Sequence, residues 1–383
     1  MYKNKVLTAI RYFVGILFIF SGLVKANDPA GLSYKMLEFF EVWQWHGLEV
    51  LALPLSIAMI IFEIIAGVAV IIGWRFPLFA WMLLLLILFF TFLTGYAVLS
   101  GKVRECGCFG DCIPLKAEQS FTKDIILLGL IVLLTIKRNS VTFLGSERTS
   151  IAIISIAALL SLCIQLYVLK HLPFVDCLPY KKGKDILEQM KIPEGSVPDS
   201  ISIEFVYVNR GKEVSFDVDH FPADFNDSTY TFVRRVDRLV RKGNAIPPIR
   251  DFVIITAAGV DTTKSFLEQP GQKIIIFSRE LTEDPTQWAW ASKLKDISNL
   301  TITKNIPLIW VSSDAEKLLQ SLPAIGLGHI PVLKGDGVAI KTAARVDPTL
   351  YWLDGARILG KWAAADFSNT VLEINGKTIN KVP

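Results

Sequence analysis

The sequence predicts an α-helical membrane bundle of five transmembrane helices followed by an α/β soluble domain. Two observations carry this. Apolar runs at about 6–24, 50–73, 77–99, 121–136 and 150–170 approach or exceed the length that crosses ~30 Å of hydrocarbon. Charge is also divided: residues 1–175 are mostly uncharged, and residues 180–383 carry most of the Lys, Arg, Asp and Glu. A hydrophobic content of 52% and a mean hydropathy of +0.44 fit a chain that meets two solvents. The net charge of +4 is unclustered, with no basic stripe interleaved with aromatics, which argues against nucleic acid as a partner.

The first run lacks a small-residue cleavage site and is followed by further spans, so it is read as a retained helix and not a signal peptide. The fourth is the shortest and reaches across if its ends snorkel. Lys3, Lys5 and Arg11 lie at the N-terminal end, Arg75 in the 74–76 connection, and Lys137, Arg138 and Arg148 in the 137–149 loop. The loops 25–49 and 100–120 mix acids with bases. The positive-inside rule then puts the N-terminus in the cytoplasm of a bacterial inner membrane and everything after residue 171 in the periplasm.

The stretch Arg104-Glu-Cys-Gly-Cys-Phe-Gly-Asp-Cys112 is therefore expected outside, where disulfides form and persist. Cys106, Cys108 and Cys112 have the spacing C-x-C-x3-C, and Gly107 and Gly110 let the backbone turn tightly enough to bring sulfurs together. Exchange needs a partly ionised thiolate and a second cysteine to resolve the mixed disulfide. Lys102 and Arg104 favour ionisation, while Glu105 and Asp111 oppose it. Cys177, just past the fifth span, is a fourth candidate, and four cysteines allow three full pairings. Three readings stay open: a redox centre, a structural disulfide, and a metal site completed by Cys177, Asp111 or a histidine. The metal reading is weakened by the absence of Cys-x-x-Cys and of any His-x-His nearby. Cys163, inside the fifth span, is expected to be an inert, buried small hydrophobe.

Glu63 falls in the middle of the second span, where an ionisable group is costly and marks a pathway or a buried pair. Arg11 is the expected ion-pair partner. The alternative makes Glu63 a proton acceptor beside a bound quinone. Gly15, Gly22 and Gly67 permit close helix packing, and Lys25 and Asp28 are read as anchors of the first helix end.

In the soluble part, residues 179–250 are an exposed, Lys-, Gly- and Pro-rich connector followed by a β-hairpin, Ser202–Val208 and Glu213–Val218, around Asn209-Arg-Gly-Lys212. A helix is expected near Tyr230–Val240. From residue 251, strands at Phe252–Thr256, Lys273–Phe277, Pro307–Val311 and Thr349–Leu353 alternate with helices at Pro285–Leu294 and Asp314–Leu319, which implies an α/β sheet.

Two resemblances follow. "GILFIFSGLVKANDPAGLSYK", "IFEIIAG" and "ECGCFGD", within roughly 5–137, resemble the DoxX-like membrane proteins and their methylamine-utilisation MauE relatives. That resemblance implies a four-helix bundle, here with a fifth span added, associated with thiol redox chemistry or protein maturation outside the cytoplasm. "IPPIRDFVIITAAGVDTT", "KIIIFS", "PLIWVSS" and "RVDPTLYWLDGARILGKW" resemble thioredoxin-like proteins of the peroxiredoxin and thiol-reductase type, and imply a cis-proline at Pro348. The chain departs from them where Cys-x-x-Cys is expected: Ser278-Arg-Glu-Leu-Thr-Glu-Asp284 holds no cysteine. A domain without thiols cannot exchange disulfides.

The sequence thus implies domains at 1–178 (membrane bundle), 179–250 (connector and hairpin) and 251–383 (thioredoxin-like). Its first reading is a thiol–disulfide relay serving an extracytoplasmic client, through Cys106, Cys108, Cys112 and Glu63, with quinone as the electron acceptor. The rival is a non-enzymatic assembly or maturation factor whose disulfide, drawn from Cys106, Cys108, Cys112 and Cys177, only braces the fold.

Overall fold

The computed structural model describes residues 5–376 except 102, 104–106, 108, 199, 218–219, 223–224, 227, 242, 244, 280, 282–283 and 375. Among the described residues, five helices are long and apolar enough to cross a membrane. They are α1 (Lys5–Ala26), α3 (Ala52–Ile72, preceded by a 3-10 turn from Glu49), α4 (Phe76–Ser100), α5 (Ala117–Ile136) and α6 (Glu147–Lys170). Between α1 and α3 the chain forms a further helix, α2 (Pro29–Val42), in the stretch expected as a loop. Its start is well specified: Asp28 accepts a hydrogen bond from the Gly31 amide, and Pro29 occupies the first turn, where its missing N–H costs nothing.

Small residues set the packing of α1 on α3. A methyl group built on Gly67 would come within 2.7 Å of the Gly15 carbonyl, and one on Gly15 within 2.9 Å of the Gly67 carbonyl. Farther out, a methyl group on Gly22 would meet Ile64 at 2.5 Å. The two backbones therefore touch, as small residues allow in a membrane bundle. Below this contact, Val14, Phe18, Ala66 and Val70 join α4 and α5 residues such as Leu83, Ile87 and Ile131 in one apolar core.

After α6 the chain enters the soluble part at once. Leu178 and Tyr180 are buried, and Tyr180 and Ile186, the latter beginning the short α7 (Ile186–Gln189), belong to the soluble core. The expected exposed connector is thus rooted at its start, while residues 181–184 and most of 191–198 are solvated.

Next comes a three-stranded antiparallel sheet, β1 (Ser200–Asn209), β2 (Lys212–Asp217) and β3 (Tyr230–Arg241), in the order β2-β1-β3. The helix expected near Tyr230–Val240 is a strand instead. The tract "TFVRRVDRLVR" has local helix character, but pairing with β1 along its length satisfies the backbone of both, and tertiary pairing overrides propensity.

The remainder is built on a six-stranded mixed sheet of order β4-β7-β6-β5-β8-β9. Its elements in chain order are β4 (Ile254–Ile255), α8 (Thr263–Leu267), β5 (Gln272–Ser278), α9 (Ala291–Thr303), β6 (Leu308–Ser312), α10 (Ala315–Ser321), β7 (Val332–Gly335), α11 (Gly337–Ala343), β8 (Thr349–Asp354), β9 (Arg357–Ala363) and α12 (Phe367–Ile374). Strands β5, β6 and β7 run parallel; β8 and β9 complete the sheet antiparallel. The helix expected at Pro285–Leu294 begins later, at Ala291, after a 3-10 turn at Pro285–Gln287. The sheet is covered on both faces, by a core around Phe277, Tyr351 and Leu267 on one side and around Trp310, Leu294 and Phe367 on the other. That explains why β5 reads as an unbroken apolar run. The peptide between Asp347 and Pro348, just before β8, is cis.

Candidate functional site

Two polar centres stand out, one inside the membrane bundle and one where the bundle meets the soluble part. The inner centre is created by the α1–α3 contact. Lys25 Nζ lies 2.5 Å from Glu63 Oε1, with the two side chains 2% and 1% exposed. Ser21 donates to the other carboxylate oxygen at 3.3 Å. Lys25, expected to anchor a helix end, is thus the partner of Glu63. Arg11, the partner expected from sequence, donates instead to the Thr142 carbonyl near the opposite end of α1. The correction is geometric: Arg11 and Lys25 lie fourteen positions apart on α1, about 21 Å at 1.5 Å per residue, and the Gly22 contact sets the Lys25 end against Glu63.

A second buried acid, Asp124 on α5, accepts from Thr94 at 3.1 Å and lies 3.0 Å from Lys123. Ser21, Lys25, Glu63, Lys123 and Asp124 face one small cavity of about 20 Å³, enough for roughly one water. Phe109, from the cysteine loop, also lines it and carries Lys123 over its ring. Phe90 on α4 is shared between this cavity and a larger apolar cleft of about 970 Å³ between α2, α3 and α4. Aromatic rings dominate the cleft wall, among them Phe40, Trp43, Trp45 and Phe89. Lys25 Nζ sits 4.8 Å from the Phe90 ring centre, so this ring separates the ion pair from the cleft.

The outer centre is the cysteine loop. Cys112 is joined to Cys177 by a disulfide across 65 residues of sequence. Cys106 and Cys108, the other sequence candidates, lie outside the described residues. Cys163 is free and sits on the outward face of α6, not buried as expected. Each half-cystine follows an aspartate, and each aspartate meets a buried cation of the soluble part. Arg345 bonds Asp111 and also donates from Nε to Asp28 at 2.8 Å. Lys361 donates to Asp176 at 3.0 Å. The side chains of Arg345 and Lys361 are only 6% and 5% exposed.

Beside this clamp lies the cis-proline edge of the large sheet. Asp347 accepts from the backbone N–H of Arg279 at 3.1 Å and from its Nε at 3.2 Å. The same guanidinium reaches across to the Tyr34 hydroxyl on α2 at 2.9 Å. Tyr34 also lies under Arg345, 5.2 Å from its guanidinium carbon to the ring centre. Burial pushes the Asp347 and Asp28 carboxyls up, against the opposing pull of Arg279 and Arg345 respectively. Burial pulls Arg345 down, but Asp28 and Asp111 more than offset this and leave it raised. Lys361 is lowered by burial, with Asp176 opposing. A further tie, His171 Nδ1 to Asp366 at 2.9 Å, joins the end of α6 to the start of the last helical segment.

Residues 3–137 match the family of the methylamine utilisation protein MauE. Residues 201–242, which hold the three-stranded sheet, match a domain family of unknown function, DUF8463. Protein TlpB of Flavobacterium psychrophilum is 32% identical over 131 residues, 33% of this chain and 35% of TlpB. The chain therefore aligns with about a third of the length of that curated relative. No solved structure matches.

Lys25, Asp124, Arg345 and Lys361 were not singled out as site residues by sequence reasoning. Asp124 carries a readable signal, an acid next to Lys123 at the edge of an apolar span. Arg345 and Lys361 do not, since nothing local distinguishes them from solvated cations.

Proposed function

We propose that the chain is a membrane-bound thiol–disulfide relay that matures a client protein on the extracytoplasmic side. The observation that carries this reading is the placement of the Cys112–Cys177 bond at the junction of the bundle, the root of the soluble part and its cis-proline edge, with Cys106 and Cys108 just upstream. The soluble part is read as a thioredoxin-like fold without its own dithiol, which presents the client. Parallel β5–β6–β7 beside antiparallel β8–β9, and the cis peptide before β8, support that reading. So does Arg279, which follows β5 where such a fold carries its cysteines, and faces Asp347.

In this scheme a client dithiol gives up two electrons and two protons and becomes a disulfide, while a loop disulfide is reduced to two thiols. Re-oxidation needs an acceptor, and the residues of the cleft fit a quinone. An aromatic, apolar volume within the range of small-molecule sites suits a ring with a long apolar tail. When bound, a quinone would accept the two electrons and two protons and leave as the quinol. Lys25 and Glu63 would hold and pass protons behind Phe90, and the Phe109-lined cavity would keep bulk water out. Acidic and basic groups paired inside a membrane are costly and usually serve such a path.

A second reading is favoured by one observation: the bond closes a 65-residue loop and ties α5 and α6 together at their outer ends. As a brace alone it would stabilise by up to about 4 kcal/mol on the chain-entropy estimate. The protein would then be an assembly factor and its soluble part a binding module. Differential alkylation of native membranes with an impermeant maleimide, before and after mild reduction, separates the two. A readily reduced bond among Cys106, Cys108, Cys112 and Cys177 is expected for the relay. A full set of bonds that resists mild reductant would establish the brace.

A further inference from the structure

The two cysteines of the bond belong to two Asp-Cys pairs, Asp111-Cys112 and Asp176-Cys177, and both aspartates are held by cations of the soluble part. Neither cation is a surface residue with water as an alternative partner. Arg345 bridges Asp111 and the α2 cap Asp28, and Lys361 is similarly buried. We infer that the Cys112–Cys177 bond and the seating of the soluble domain on the bundle form one coupled unit, so that reducing the bond unseats the domain. This interface needs no client or quinone and holds under either reading of the bond.

Cys177 stands three positions before Tyr180, a residue of the soluble core, so the bond fastens the α4–α5 loop to the root of the domain. While it is closed, Asp111 is confined beside Arg345. Once it opens, the loop regains conformational freedom, helped by Gly107 and Gly110, which adopt φ of 66° and 56° where other residues are strained. Holding Asp111 in place then costs loop entropy that the bond had already removed. Arg345 is left with Asp28 as its remaining carboxylate. A buried cation that loses one of two partners carries a desolvation cost, and moving into water relieves it. Release of Arg345 also withdraws it from the Tyr34 ring, which then keeps Arg279 and Lys341 as neighbours from the soluble part. The reducing step is balanced by a dithiol such as dithiothreitol. It supplies two electrons and two protons, its sulfurs form a disulfide, the Cys112–Cys177 bond breaks, and two thiols result.

Coupling must be reciprocal: what weakens the seat must make the bond easier to reduce by the same factor. The test uses the full chain in lipid nanodiscs. Backbone hydrogen exchange over residues 341–349 and 357–366 is followed with the bond closed and after reduction by dithiothreitol, in the wild type and in a Cys106→Ser/Cys108→Ser background. Exchange in both segments is expected to rise at least about fivefold on reduction, the lower end of the usual coupling range. In parallel, Arg345→Gln should shift the dithiothreitol ratio that half-reduces the bond by a similar factor. If Arg345→Gln fails to fold, Lys361→Gln takes its place. Unchanged exchange in the fully reduced wild type would overturn the inference, and so would equal half-reduction ratios in wild type and variant.

Discussion

Lys25 and Glu63 form an ion pair at 2.5 Å between two helices whose backbones touch, buried in the bundle beside Ser21, Lys123 and Asp124. Removing one member leaves the other buried without the opposite charge that compensates its loss of solvation. Lys25→Met is expected to cost on the order of 3–5 kcal/mol and to lower the yield of folded protein. The double variant Lys25→Met/Glu63→Gln should recover most of that loss. Thermal unfolding in detergent checks this, and equal melting of single and double variants would show that the pair does not constrain the fold.

The approach of α1 to α3 depends on the absence of side chains. In Gly67→Ala the new methyl must displace the Gly15 backbone, since the 2.7 Å contact is to a carbonyl oxygen and not to a flexible chain end. A loss of about 1–3 kcal/mol is expected from such overpacking. Gly129, where a methyl group meets nothing within 4 Å, provides the control: Gly129→Ala should be neutral or stabilising.

Trp43 and Trp45 line the apolar cleft, and this gives a readout for the proposed acceptor that does not require turnover. Decylubiquinone should quench tryptophan fluorescence saturably, and Trp43→Phe/Trp45→Phe should remove most of the saturable part. Filling the cleft with Ala58→Trp should weaken binding about tenfold or more, as a blocked pocket loses its contacts. Linear, non-saturating quenching in the wild type would count against the cleft as a quinone site.

Asp347 gives a pH dependence of defined sign. Burial raises its carboxyl above the ordinary 3.8, so the folded protein binds this proton more tightly than the unfolded chain does. The associated stability is present in full below 3.8 and is lost as pH rises through the folded value. The stability difference between wild type and Asp347→Asn should therefore move in the wild type's favour as pH falls from neutrality. Urea or thermal unfolding at several pH values measures it, and a difference independent of pH would refute the assignment.

The membrane spans were legible because composition over twenty residues is a strong signal, and the structure moves their ends by only a few positions. The strands Lys273–Phe277 and Thr349–Leu353 were equally plain as short apolar runs between turns. Helix α2 was missed since its aromatic residues, Phe39 and Phe40 among them, were read as part of a mixed loop. β3 was taken for a helix because its arginines mask the alternation that pairing with β1 enforces. At the candidate sites, residue type alone draws attention to Glu63, Cys112 and Cys177. It offers Cys177 as a mate for a loop cysteine but does not give the cations that surround these residues. Lys25, Arg345 and Lys361 acquire meaning only when segments up to 317 positions apart come together, and no local pattern encodes that.

The short root between the last membrane helix and the soluble core sets a boundary on where this molecule can act. From Lys170 at the end of α6 to the buried Tyr180 is ten residues, a leash of at most about 35 Å even if fully stretched. A domain on such a leash, seated on the bundle through Arg345 and Arg279, stays against the lipid headgroups and cannot scan the volume beyond the bilayer. Any partner of the soluble part is therefore met at that surface. For a partner that is itself anchored in the bilayer, the search is then closer to two-dimensional than three, and encounter frequency follows membrane density more than bulk concentration.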